Sequence, residues 1–141
     1  MKQEMLECLT HNILDFWLNR MPDHEHGGFY GRIDGHGNVD AEAEKGAILN
    51  ARILWAFAAA YRVLGKKEYL DAALRAKDYI LKHFVDGQYG GVFWSLNADG
   101  TPRDTKKQTY AMASPYTECL NLRAPPATAR LSTAPSRSTK A

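Results

Sequence analysis

Apolar residues recur at helical spacing in three stretches of this chain and gather in short aromatic clusters between them. Over residues 3–20, Met5, Leu9, Ile13, Phe16 and Trp17 share one side of a helical wheel, with Lys2, Glu4, Glu7, Asn12 and Asp15 elsewhere; this spacing predicts an amphipathic helix. Pro22 and the run DHEHGG end it. A second helix is predicted from about Lys45 to Leu64, closed by Gly65. Between Ala47 and Ala60 only Asn50 and Arg52 are polar, so this helix should be buried on most of its faces. A third, about 67–84, places Leu70, Ala73, Leu74, Lys77, Leu81 and Phe84 along one stripe. Helix formers resume at Lys106 in KKQTYAMA and stop at Ser114-Pro115.

The clusters between the helices read as strands joined by tight glycine turns. HGGFYGRIDGHGN starts at Gly27-Gly28 and YGGVFWSLNADGT at Gly90-Gly91, an offset of 63 residues. Both run from paired glycines through aromatics to Asp-Gly, at Asp34-Gly35 and Asp99-Gly100. Two antiparallel helices fill the interval between them. Repetition at that period predicts a stacked array whose units cannot each bury their own apolar face. Helix pairs joined by hairpin-bearing loops on one side describe an all-α toroid, and about two units are present.

Charge alters this picture at one point only. The net charge of +2 is uneven. Residues 114–141 carry Arg123, Arg130, Arg137 and Lys140 against Glu118, leaving fourteen basic and fifteen acidic residues in the first 113. The basic excess therefore belongs to the tail and is no argument for nucleic-acid binding by the rest. The tail also holds four of the six prolines and none of the eleven glycines. Two compositions meet near Ser114. No window reads as the run of about 18 apolar residues a membrane helix needs, and no secretory signal is visible at the start. Cys8 and Cys119 form neither a disulfide framework nor a zinc pattern. The simplest expectation is a cytoplasmic protein with no membrane or nucleic-acid partner.

Few residues offer chemistry. His24-Glu25-His26 and His36 sit in a glycine loop without further ligands at suitable spacing, so no metal site is expected. His83 suits a helix C-terminus. No phosphate-binding loop, dinucleotide fingerprint or nucleophile elbow occurs. Arg52 is the most informative residue, because a guanidinium within an apolar helix costs several kcal/mol to bury unless it is paired or lines a wet cavity. Two readings follow: an internal ion pair with Glu42 or Glu44, or a cavity-facing donor to a polyol or oxyanion. Phe29, Tyr30, Phe93 and Trp94 serve equally as core plugs or as platforms for sugar rings. Tyr110 could be either.

EAEKGAILNARILWAFAAAYRVLGK, residues 42–66, resembles the second-helix signature of the cellobiose 2-epimerases, relatives of the N-acylglucosamine 2-epimerases. HGGFYGRIDG and KKQTYAMA fit the same family, and the resemblance covers residues 1–113. It implies the N-terminal portion of an (α/α)6 barrel with short β-hairpins in its loops. It also implies cofactor-free conversion of the reducing-end glucose of cellobiose and related β-1,4 disaccharides to mannose. In such enzymes histidine bases move the C2 proton through an enediolate after ring opening, assisted by donors to the developing oxyanion. By position Arg52 matches the catalytic arginine and Tyr110 a substrate-binding tyrosine. None of His11, His24, His26, His36 and His83 matches the catalytic histidines, which lie later in the family's chain. The 141-residue form is therefore expected to be inactive.

Residues 114–141 have a separate expectation. A one-base shift of codons compatible with SPYTECLNLRAPPAT, residues 114–128, reads FAIYGMSEFARATGD, close to the family's continuation. This stretch reads as an out-of-frame or disordered tail, with a natural linker as the alternative. For function, the alternatives are an N-acylglucosamine or mannose epimerase or isomerase fragment, and a short helical-repeat binding module.

Overall fold

A computed structural model of the chain describes residues 2–108. Tyr110, Cys119 and the whole of the 114–141 tail lie outside the described residues. The centre of the fold is a helical hairpin. Helix α3 (Ala47–Leu64) turns at Gly65 into α4 (Lys67–Tyr79), which continues as a π-helical turn through Ile80–Phe84. Gly65 takes φ 72° and donates its N–H to the Tyr61 carbonyl at 2.8 Å, the left-handed stop that glycine adopts without steric cost. So short a connection forces the helices antiparallel. Ala51, Leu54, Phe57 and Ala58 of α3 and Tyr69, Ala72, Ala73 and Ala76 of α4 are buried, and the alanines let the two backbones approach closely.

The first predicted helix is present but uneven. α1 (Lys2–Glu7) passes through a π-helical stretch, Cys8–Leu14, into α2 (Asp15–Asn19). Thr10 Oγ1 donates to the Leu6 carbonyl at 2.8 Å, a side-chain bond that competes with the helical ladder. Met5 and Ile13, expected on the buried face, are 68% and 51% exposed. The apolar stripe meets the core only from Leu14 onward, with Phe16, Trp17 and Leu18 half-buried against it. The reason is position: α1 buries no residue, whereas α2 packs against α4.

The stripe on the third helix is also turned from the sequence reading. Tyr69, Ala72, Ala73, Ala76, Tyr79, Ile80 and Phe84 face inward, while Leu74 and Leu81 face solvent. Aromatic rings decide this orientation, since Phe29, Phe57 and Tyr69 form a continuous stack with centroids 6.4 and 6.2 Å apart. Helix α3 corrects a further expectation. Ala47–Leu64 is long and apolar enough by composition to cross a membrane, with mean hydropathy 1.3. Its inner face is nonetheless packed against α4. Its outer face is less covered than expected, with Trp55 and Val63 exposed.

Among the described residues five short strands complete the fold: β1 (Arg32–Ile33), β2 (Val39–Asp40), β3 (Lys45–Gly46), β4 (Ser95–Leu96) and β5 (Pro102–Asp104). β1 and β2 form one antiparallel hairpin, and β3, β4 and β5 a second sheet in that order. The 63-residue repeat holds through both units. The bridges Pro22–Phe29 and Val85–Val92 correspond, as do the β1–β2 and β4–β5 hairpins. The turns, however, align differently from the sequence reading. Asp34 corresponds to Asn97 and Gly37 to Gly100, with φ 86° and 89°. Asp34-Gly35 and Asp99-Gly100 are therefore not equivalent, because the positive-φ position sets the turn and Gly35 does not occupy it.

Candidate active site

The start of α3 is held by a buried ion pair that the sequence reading did not find. Lys45, the first residue of β3, places its Nζ 2.6 Å from Asp23 Oδ2 and donates to the Gly27 carbonyl at 2.9 Å. Its ammonium also lies 4.9 Å from the centroid of the Tyr79 ring. The other carboxylate oxygen of Asp23 accepts the N–H groups of Glu25 and His26 at 3.0 and 2.9 Å. Burial pushes the Asp23 carboxyl up, but the His26 N–H, the Lys45 ammonium and the Glu25 N–H together hold it below the ordinary carboxylate value. Arg75 of α4 locks the same loop from outside, donating to the carbonyls of Asp23 and Gly28 at 2.5 and 2.9 Å.

The second unit repeats the device. Lys107 pairs with Asp86 and donates to the Gly90 carbonyl, and Asp86 accepts the N–H groups of Gln88 and Tyr89. An Asp four residues before each paired glycine, at 23 and 86, was the available signal. It was masked because Asp before a loop usually reads only as a turn residue.

Arg52 lies about one and a half turns into α3, on its exposed face. The expected burial cost does not arise. The internal ion pair does not form either: Glu44 instead takes Arg103 at 3.2 Å and the Ser95 hydroxyl at 3.1 Å. Arg52 borders a cleft of about 260 Å³ whose other walls are apolar, from Ile13, Leu14 and Trp17 on one side to Leu49, Ile53 and Phe57 on the other. A guanidinium at the mouth of such a cleft can donate to ligand oxygens while Trp17 and the aliphatic side chains cover an apolar face.

A second, larger cleft of about 530 Å³ lies over the first turn of α3, with Leu49 bordering both. Trp94 and two arginine–carboxylate pairs line it, Arg32 with Asp40 at 2.5 Å and Arg103 with Glu44. The four hairpin aromatics thus divide. Phe29 is a core plug, 1% exposed, whereas Tyr30, Phe93 and Trp94 are half-buried and Trp94 faces this cleft.

The histidines stand apart from both clefts. His11, His24 and His36 are exposed, His26 Nδ1 lies 3.7 Å from Asp23, and His83 packs on Tyr79 with centroids 4.5 Å apart. Among the described residues no three His, Cys, Asp or Glu side chains come together in a way that could hold a metal.

Known proteins resemble this chain over most of its length. The family model for N-acylglucosamine 2-epimerase matches residues 28–124. A cellobiose 2-epimerase from Bacteroides fragilis is 58% identical over 112 residues, covering 79% of this chain and 29% of that protein. One from Ruminococcus albus is 43% identical over 113 residues, covering 80% and 29%. Among solved structures, cellobiose 2-epimerase from Bacillus thermoamylovorans superposes with a TM-score of 0.83 at 37% identity, over 92% of this chain and 34% of that one. The chain thus spans about a third of the length of the relatives it matches.

Proposed function

The chain belongs to the N-acylglucosamine 2-epimerase family, and from that premise we propose that it is the N-terminal part of a sugar epimerase acting on cellobiose-like β-1,4 disaccharides. The reaction is conversion of the reducing-end glucose to mannose by removal and return of the C2 proton. The observation that carries this reading is the placement of Arg52. In a chain 58% identical to a cellobiose 2-epimerase over 112 residues, it stands at the mouth of an apolar cleft and is not engaged by Glu44.

In this reading Arg52 is the donor to the substrate oxygen on which charge develops as C2 is deprotonated. A guanidinium suits that task because its planar fork of N–H donors matches neighbouring substrate oxygens. Tyr110 contributes to substrate binding. Its position lies outside the described residues, so its part rests on the resemblance alone. The histidine bases belong to the part of the (α/α)6 barrel that this chain does not span. In this reading the 141-residue chain by itself turns over no sugar, and its tail is an out-of-frame read that begins within the family match, which runs to residue 124.

Two measurements test the proposal. Genomic DNA is resequenced across the codons for Ala113 and Ser114, and the protein from the corrected frame is assayed on cellobiose. Production of the mannose-ended epimer, reduced at least a hundredfold by Arg52→Ala, supports the reading. A restored frame that meets early stops, or a barrel-length protein that acts on free mannose or N-acylglucosamine and not on cellobiose, overturns it.

A further inference from the structure

We propose that this chain associates head to tail with a second copy of itself, the exposed apolar stripe of its first helix seating on the open loop of the other copy's second repeat. The contact is one the chain already makes within itself. Helix α4 opens the second repeat and packs on the loop of the first. Its Tyr79 ring covers the Lys45 ammonium at 4.9 Å, and its Arg75 takes the Asp23 and Gly28 carbonyls. A Cβ on Gly28 would lie 2.7 Å from the Tyr79 ring, so the seat is moulded to an aromatic side chain. Beneath this lid neither Lys45 nor Asp23 exposes any side-chain surface.

Each half of that contact recurs on the surface without its counterpart. The second repeat carries the same seat, Lys107 on Asp86 and the Gly90 carbonyl, and no helix covers it among the described residues. Lys107 is 27% exposed and Tyr89 beside it 80%, while a Cβ on Gly90 would meet nothing within 4 Å. A cleft of about 510 Å³ opens between Asp86, Tyr89, Phe93 and Lys107. The first helix, in turn, is the repeat equivalent of α4, 63 residues earlier. Leu6, Leu9 and Ile13 stand where α4 buries Tyr69, Ala72 and Ala76, yet they are 39%, 39% and 51% exposed. Phe16 stands where Tyr79 does and is half-buried, a ring suited to the face of the Lys107 ammonium. Asn12 stands where Arg75 does, with an amide that donates to loop carbonyls. The leading helix of one copy and the open seat of another therefore continue the interface between repeats from chain to chain, which selects a second copy as the occupant. Such a contact uses a different surface on each partner and does not close with two copies, so assemblies lengthen with concentration.

Sedimentation velocity on the intact 141-residue chain tests the proposal, with the fold of each variant checked by circular dichroism melts. The mean mass should rise with concentration up to about 1 mM and fall again on dilution. Leu9→Glu spoils the helix half of the contact and Tyr89→Asp the seat half. Each should weaken association at least tenfold and leave a monomer over the same range. Leu6→Gln and Gln88→Trp repeat the two arms with gentler changes, so that the test does not depend on one pair of variants folding. Mixing a helix variant with a seat variant is decisive, because each retains the half that the other lacks. The mixture should form dimers and nothing larger. A wild-type chain that stays monomeric throughout overturns the proposal. So does a wild-type mass that stops at the dimer, association that survives in folded variants of either arm, or a mixture that remains monomeric.

Discussion

The ammonium of Lys45 sits 2.6 Å from the carboxylate of Asp23, and neither side chain is accessible to solvent. An isolated charge in that position would be strongly unfavourable. The pair persists because every partner is supplied locally: two loop N–H groups to Asp23, a carbonyl and an aromatic face to Lys45. The pair ties the loop that follows α2 to the strand that opens α3. The position of the first turn of α3, and so of Arg52, depends on it.

Removing one partner should therefore cost far more than removing both. Lys45→Met is expected to destabilise the chain by about 3–5 kcal/mol, since it leaves a buried carboxylate unpaired. Lys45→Met with Asp23→Asn should recover a large part of that loss. Urea denaturation of the two single variants and the double variant measures the coupling. The equivalent change at Lys107, whose side chain is 27% exposed, should cost less, because water can reach its abandoned partner.

Acid should unfold the chain through the same carboxylates. Asp23 and Asp86 are both held below the ordinary value of 3.8, Asp23 by hydrogen bonds that outweigh its burial and Asp86 mainly by Lys107. A lowered folded pKa gives stability that is fully present above the unfolded value and is lost as pH falls through the folded one. The urea midpoint should accordingly be level, on this account, between about pH 5 and 7 and fall below about pH 4. Asp86→Asn should make that fall shallower, and a pH series of urea melts checks it.

Tyr79 should show the opposite sign at alkaline pH. Its hydroxyl is buried without a hydrogen-bond partner among the described residues. Burial, with the charges of Asp23 and Asp99, pushes its pKa up to about 12. A raised pKa gives stability present below the unfolded value of 10 and lost as pH rises towards 12. Tyr79→Phe removes the unpaired hydroxyl and keeps the ring beneath Lys45. It should change stability at neutral pH by less than about 1 kcal/mol, in the favourable direction. It should also remove the tyrosine signal that titrates near pH 12 in ultraviolet absorbance.

Gly31 and Gly35 offer a matched pair. A Cβ on Gly31 would lie 1.8 Å from the Glu44 carbonyl oxygen, whereas one on Gly35 meets nothing within 4 Å. Gly31→Ala should cost about 1–3 kcal/mol because the backbone before β3 must move. Gly35→Ala should be neutral or stabilising by up to about 1 kcal/mol. Thermal melts of both variants decide the matter, and equal effects would refute the close approach.

The amino-acid sequence by itself determined the three helical stretches, the two glycine-turned hairpins and the 63-residue repeat. These are local features: periodicity over a few turns, a positive φ that glycine alone adopts cheaply, and composition that breaks helices. The pattern also singled out Arg52, because one cation in an apolar helix is anomalous at any position. Tertiary structure alone decided the rest. It turned the face of α4 so that Tyr69 joins the Phe29–Phe57 stack and Leu74 faces solvent. It left Arg52 exposed at the mouth of a cleft and sent Arg103 to Glu44. It also brought Lys45 to Asp23 across 22 residues. Periodicity reports that a helix has an apolar side. Which side meets which ring, and which cation finds which carboxylate, depends on packing between elements far apart in the chain, and that packing leaves no local periodic mark.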